Sequence, residues 1–164
     1  MGSLMGRLAT SATVAAVALL ALAGCGTPEP AAPTIDSTEA AAEYQPVMDD
    51  VLATLTAAYP TVTWSTGDSS DRVLAGNSDD PCSLWLADQQ ADDLPGAAGG
   101  WSDVIDALNP TLEKHGFSEI TEEDSIDGGF TGISSRDATG AELRIVDKTS
   151  TEISLEIDVT DTGC

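Results

Sequence analysis

Three cysteines, one histidine and 28 carboxylates are the residues of this 164-residue chain whose types could do chemistry. A thiolate is a nucleophile and a metal ligand. An imidazole moves protons near neutral pH, and two carboxylates can hydrolyse a glycosidic bond between them. Spacing narrows these options. His115 has no second His and no Cys at ligand spacing, so no metal site and no cofactor are assigned. A Ser–His–Asp hydrolase would have to use His115, yet no Gly-x-Ser-x-Gly occurs and Ser134-Ser135 does not match it. His115 reads instead as a partner for a helix C-terminal dipole. No phosphate loop and no dinucleotide fingerprint is present. The acidic clusters Asp68 to Asp71, Asp79-Asp80 and Glu122 to Asp127 fall in loop-like sequence and read as solvated charge. Asp124-Ser125-Ile126-Asp127-Gly128 has part of a calcium loop but lacks the alternating ligands and the closing Glu. Paired carboxylates acting on a cell-wall glycan stay open by inventory, although seven aromatics leave few stacking platforms for a sugar. Trp64 and Trp101 read as core. Trp85 alternates with Leu84 and Leu86, which places it on the other face of a strand.

Cys25 has a setting of its own. Leu8 to Ala23 is an uncharged, mostly apolar run preceded by Arg7. It is shorter than the roughly 20 residues of a spanning helix and ends in small residues, as an export signal does. The four residues Leu22-Ala23-Gly24-Cys25 resemble the lipobox of bacterial lipoproteins. That resemblance implies cleavage between Gly24 and Cys25 and a diacylglyceryl group, with acyl chains such as palmitate, on Cys25. Two acyl chains at about 0.8 kcal/mol per buried CH₂ hold a protein stably at a bilayer. The expected address is the extracytoplasmic face of the cell membrane, with the membrane as partner through the lipid.

Cleavage would leave 140 of the 164 residues, enough for one domain. All 28 acids lie after Cys25 and five Lys and Arg remain with them, a net charge of −23. Phosphate contacts need Lys and Arg, so a nucleic-acid partner is excluded. Anionic head groups would also repel the domain itself.

The elements that must carry these residues follow in order. Residues 25–42 are the lipidated Cys and a Pro-, Ala- and Thr-rich tether, with a coil reach of about 20–25 Å. The domain is expected over 43–164. Tyr44, Met48, Val51, Leu52, Leu55 and Tyr59 fall at helical spacing, with Pro46 in the first turn and Pro60 as the stop. Thr61 to Thr66 and Cys82 to Ala87 read as two strands that pair with each other, with loops at Gly67 to Pro81 and Asp88 to Gly100. A second helix is predicted from an N-cap at Ser102 to Gly116, with the apolar stripe Val104, Ile105, Leu108 and Leu112, a kink or restart at Asn109-Pro110, and Asn109 capping the second half. Phe117 to Glu122, Phe130 to Arg136, Ala141 to Lys148 and Glu152 to Thr160 read as strands, with turns at Asp127-Gly128-Gly129 and Asp137-Ala138-Thr139-Gly140. Leu143 and Ile145 share odd numbering with Ile153, Leu155, Ile157 and Val159, so an odd-length turn at Thr149 to Thr151 keeps both apolar sets on one face. That register sets Arg144 opposite Glu156 and Lys148 opposite Glu152. The class is α+β: two main helices on one face of an antiparallel sheet, ending in a β-meander.

With Cys25 lipidated, Cys82 and Cys164 remain, and an oxidising compartment would join them in a disulfide. The lipobox, Cys82 opening a strand, Trp101 leading a helix that ends at Gly116-Phe117, Asp137 to Gly140 before Leu143, and the closing Thr162-Gly163-Cys164 together resemble the LppA-like small actinobacterial lipoproteins. The resemblance implies a membrane-tethered α+β domain with a disulfide, and no reaction. The function expected is a non-enzymatic binding or envelope-maintenance module, with a protein or apolar ligand as partner. Rival readings are the carboxylate glycan hydrolase and a calcium-stabilised adhesion domain.

Overall fold

A computed structural model describes residues 32–67, 70–75 and 81–164. The apolar run, the Gly24–Cys25 cleavage point and Cys25 itself lie outside the described residues.

Asp36 opens the first helix, α1 (Ser37–Ala58), by accepting the Thr38 and Glu39 amides at 2.9 Å each. The helix starts six residues ahead of the expected Glu43, so residues 37–42 belong to the helix and not to the tether. Their lack of large apolar side chains was misleading. Alanine is the best helix former, and Ala40 is fully buried. Pro46 therefore sits inside the helix and not in its first turn. Tyr44, Met48, Val51 and Leu55 make the buried stripe.

The chain then makes short strands β1 (Ser65–Thr66), β2 (Arg72–Ala75), β3 (Cys82–Trp85) and β4 (Gln89–Ala91). Two of these, β2 and β4, lie in stretches read as loops. The first and third do not pair: β1 pairs with β4, and β3 with β2. A short helix α2 (Leu94–Ala98) leads to α3 (Trp101–Lys114). The N-cap of α3 is Gly100, not Ser102, and the helix runs through Pro110 without a restart. Its end matches the sequence signal. Gly116 has φ +78°, the Gly116 amide donates to Glu113 O and the Phe117 amide to Leu112 O, which is a Schellman closure.

Residues 117–122 form an extended segment, not a strand, with one isolated bridge at Phe117–Asp137. Asn109, expected to cap half a helix, instead holds this segment. Its Nδ2 donates to Ile120 O and its Oδ1 accepts the Ile120 amide, both at 3.0 Å. A meander follows: β5 (Asp124–Ile126), β6 (Phe130–Arg136), β7 (Glu142–Asp147) and β8 (Thr151–Val159).

Among the described residues, eight strands form one antiparallel sheet: six follow the path β1-β4-β8-β7-β6-β5, and β3, with β2 beyond it, also pairs with β8. The long strand β8 is central. It pairs with β7 on one side, and on the other with β4 near its start and β3 near its end. Both α1 and α3 cover the face that carries Leu143, Ile145, Ile153, Leu155 and Ile157. The class is α+β.

The β7–β8 register differs from the expected one by two residues. Leu143 faces Leu155 and Ile145 faces Ile153, so the shared apolar face stands. Arg144, however, lies opposite Ser154, and Glu142 opposite Glu156. Thr151 decides the matter. It is fully buried as a strand residue, where its hydroxyl donates to Asp147 Oδ2 at 2.7 Å and accepts the Leu94 amide at 2.9 Å. The turn is therefore 148–150. Satisfying buried polar groups outweighs pairing exposed charges.

Candidate functional site

The two ends of the described chain meet. The Thr160 amide donates to Ile35 O at 2.9 Å. The Ser37 amide and hydroxyl donate to the two oxygens of Asp161 at 2.7 and 2.8 Å. Beyond Asp161 the tail turns back, and Cys164 is bonded to Cys82 with their Cα atoms 6.1 Å apart. One pole of the domain thus collects the point where the chain enters α1, the end of the central strand and the disulfide.

His115 caps the end of α3. Its Nε2 lies 2.9 Å from Asp50 Oδ2 on α1, and Lys114 Nζ reaches the same oxygen at 2.6 Å. The Lys114 bond first, then the His115 bond, holds the Asp50 carboxyl below the ordinary carboxylate range. The histidine is therefore a tie between the two helices. The serines considered for it are engaged elsewhere: Ser135 Oγ donates to Ser118 O at 2.6 Å, and Ser134 Oγ to Asp124 Oδ2 at 3.2 Å. Asp124 sits in β5, and among the described residues no group of three His, Cys, Asp or Glu could hold a metal ion.

A groove of about 440 Å³ runs between α3 and the extended segment, over Trp101, Ile105 and Ile120, with Asp106, Glu119 and Glu122 on it. It continues into a second depression of about 550 Å³ that shares Asp106, Asn109 and Glu119. The Asn109–Ile120 bonds build this groove, a role that sequence spacing did not signal. Its floor is closed: Trp101 is buried and spends its indole N–H on Thr131 Oγ1 at 2.9 Å. Trp85 lies on the other sheet face, with Arg72 stacked 5.6 Å from its ring centre and paired at 3.5 Å to Asp88. Trp64 is half-buried against the core.

On α1, Tyr44 donates to Asp137 Oδ2 at 2.6 Å and meets Thr139 Oγ1 at 2.9 Å. The other Asp137 oxygen accepts the amides of Thr139, Gly140 and Ala141. The loop read from the sequence as a plain turn is thus pinned to the helix by one carboxylate.

These features define a small α+β domain: a two-helix layer on an antiparallel sheet, with its termini stapled at one pole. Its fold is similar to that of the candidate lipoprotein LppA from Mycobacterium tuberculosis, with TM-score 0.52 and 13% identity over 75% of this chain and 76% of that chain. A DUF4853 family protein from Actinomyces odontolyticus matches with TM-score 0.40 and 10% identity over 74% of this chain and 69% of that one. No family model and no curated protein matches the sequence. At 13% identity the likeness to LppA is one of fold, and it is the fold that the LppA-like resemblance implied. Among the described residues no helix is long and apolar enough to cross a membrane.

Proposed function

We propose that the chain is a lipoprotein of the extracytoplasmic membrane face, anchored through Cys25, that acts as a non-enzymatic binding or envelope-maintenance module. The observation that carries this reading is Leu22-Ala23-Gly24-Cys25 placed directly after an uncharged apolar run. Likeness of fold to LppA supports it. So does the Cys82–Cys164 bond, which suits an oxidising compartment. In this reading residues 1–24 are removed, and the tether leads from Cys25 to Ile35, whose carbonyl accepts the Thr160 amide just past β8. The non-enzymatic part rests on His115 and Ser135 being tied into the fold.

Detergent phase separation of the expressed full chain tests the anchor. Wild type should partition into the detergent phase and carry radiolabelled palmitate, and Cys25→Ser should move to the aqueous phase unlabelled. A wild-type protein whose intact mass is that of an unmodified polypeptide beginning at Met1 overturns the reading.

A further inference from the structure

The disulfide closes 82 residues in sequence but very little chain in space. Cys82 is already the ladder partner of Val159, the last residue of β8. What the bond adds to that ladder is the five-residue tail Thr160 to Cys164. Gly163, at φ +79°, reverses the tail so that Cys164 returns over Cys82. Within this small ring lie Thr160 and Asp161, the two residues that grip Ile35 and Ser37. The ring therefore lies across the point where the chain enters α1.

We propose that the tail Thr160–Cys164 is a redox-locked clasp on the chain entering the domain. Closed, it passes any pull on the N-terminal segment to the central strand and, through sulfur, to β3. Opened, it frees the chain before Ser37 from the sheet. If the chain is anchored as proposed above, opening lengthens the span between membrane and domain by the few residues released, at most about 3.3–3.6 Å each. A dithiol reductant opens it. Its thiolate attacks the sulfur of Cys164, the exposed partner, the S–S bond breaks, and Cys82 leaves as a thiolate and takes a proton. The second thiol of the reductant then attacks the mixed disulfide, releasing Cys164 as a thiol and the reductant as its cyclic disulfide. Two electrons and two protons pass to the protein. The same contacts act in reverse, because coupling between two sites is reciprocal. The grip of Asp161 on Ser37 must make the disulfide harder to reduce.

Hydrogen exchange of the full chain, read residue by residue with and without dithiothreitol, tests the clasp independently of lipidation. On reduction the Ser37 and Thr160 amides should exchange about tenfold faster or more and well ahead of those of Ile153 and Leu155 in mid-β8, whose slower exchange reports only the stability lost by the whole domain. Asp161→Ala, with the disulfide intact, should speed Ser37 exchange and raise severalfold the fraction reduced at a fixed dithiol-to-disulfide ratio. An unchanged Ser37 amide, a Ser37 amide that in the reduced protein exchanges no faster than those of Ile153 and Leu155, or an Asp161→Ala protein as resistant to reduction as wild type each overturns the proposal.

Discussion

Tyr44 shows what a single side chain does in this fold. Burial first, and then its hydrogen bond to Asp137, pushes its phenol up to about 12. The neutral phenol is the form the fold favours, so its folded pKa lies above the unfolded value of 10.0. The resulting stabilisation is complete below pH about 10 and is lost as pH rises toward about 12. Burial raises Tyr59 as well. An alkaline titration followed by phenolate absorbance should therefore find neither tyrosine at the ordinary value, with the later transition absent from Tyr44→Phe. That variant should also lose about 1–2 kcal/mol in urea unfolding at neutral pH. A tyrosine that titrates normally and disappears in Tyr44→Phe contradicts the assignment. Asp50 has the opposite sign. Its lowered pKa makes the tie to Lys114 and His115 fully effective above the ordinary carboxylate value, and the tie weakens as pH falls below it. Neither role was legible in the sequence. Tyr44 read as one more apolar stripe position, and Asp137 as a turn residue 93 positions away.

Among the elements, α3 was the easiest to read and Asn109 the hardest. The stripe Val104, Ile105, Leu108 and Leu112 and the stop at Gly116 are local signals, and the helix obeys them. Asn109-Pro110 also looked local, a cap and a kink, but tertiary contact overrides it. Both ends of the Asn109 amide are spent on Ile120. Asn109→Ala would leave the Ile120 amide and carbonyl without that partner. It should cost about 1–3 kcal/mol in urea unfolding and speed exchange of the Ile120 amide. An unaltered midpoint would mean that residues 117–122 are held by other contacts. The start of α1 was readable in principle. Asp36 followed by Ser37, Thr38 and Glu39 is a capping-box pattern that low apolar content concealed. The β7–β8 register was half readable. Alternation repeats every two residues, so it settles which face is apolar but leaves shifts of two degenerate. Centring the three-residue turn on Thr149 to Thr151 gave the wrong one, and the exposed charge pairs that came with it are worth little beside the buried Thr151–Asp147 bond.

At the scale of the whole molecule, the disulfide ties the first residue of β3 to the last residue of the chain. Cross-linking 82 residues restricts the unfolded chain, an effect worth up to about 4–5 kcal/mol in the chain-entropy account. Cys164→Ser should therefore lower the melting temperature markedly. It should also leave Cys82, buried at 6% exposure, reactive to a thiol reagent mainly through unfolding. A wild-type protein with a freely reactive thiol at Cys82 would contradict the bridge. The chain by itself determined what short-range chemistry can encode: the apolar run before Cys25, the acid excess, the stop at Gly116, the alternation of β7 and β8, and the α+β class. Only the tertiary structure decided which strands flank β8, how far β7 slides along it, what Asn109 and Asp137 hold, and that the two ends of the domain meet. Hydrophobic burial is non-directional, so it can mark a residue as interior without naming its neighbour. The choice of neighbour falls to buried hydrogen bonds between residues far apart in sequence, which no local pattern records.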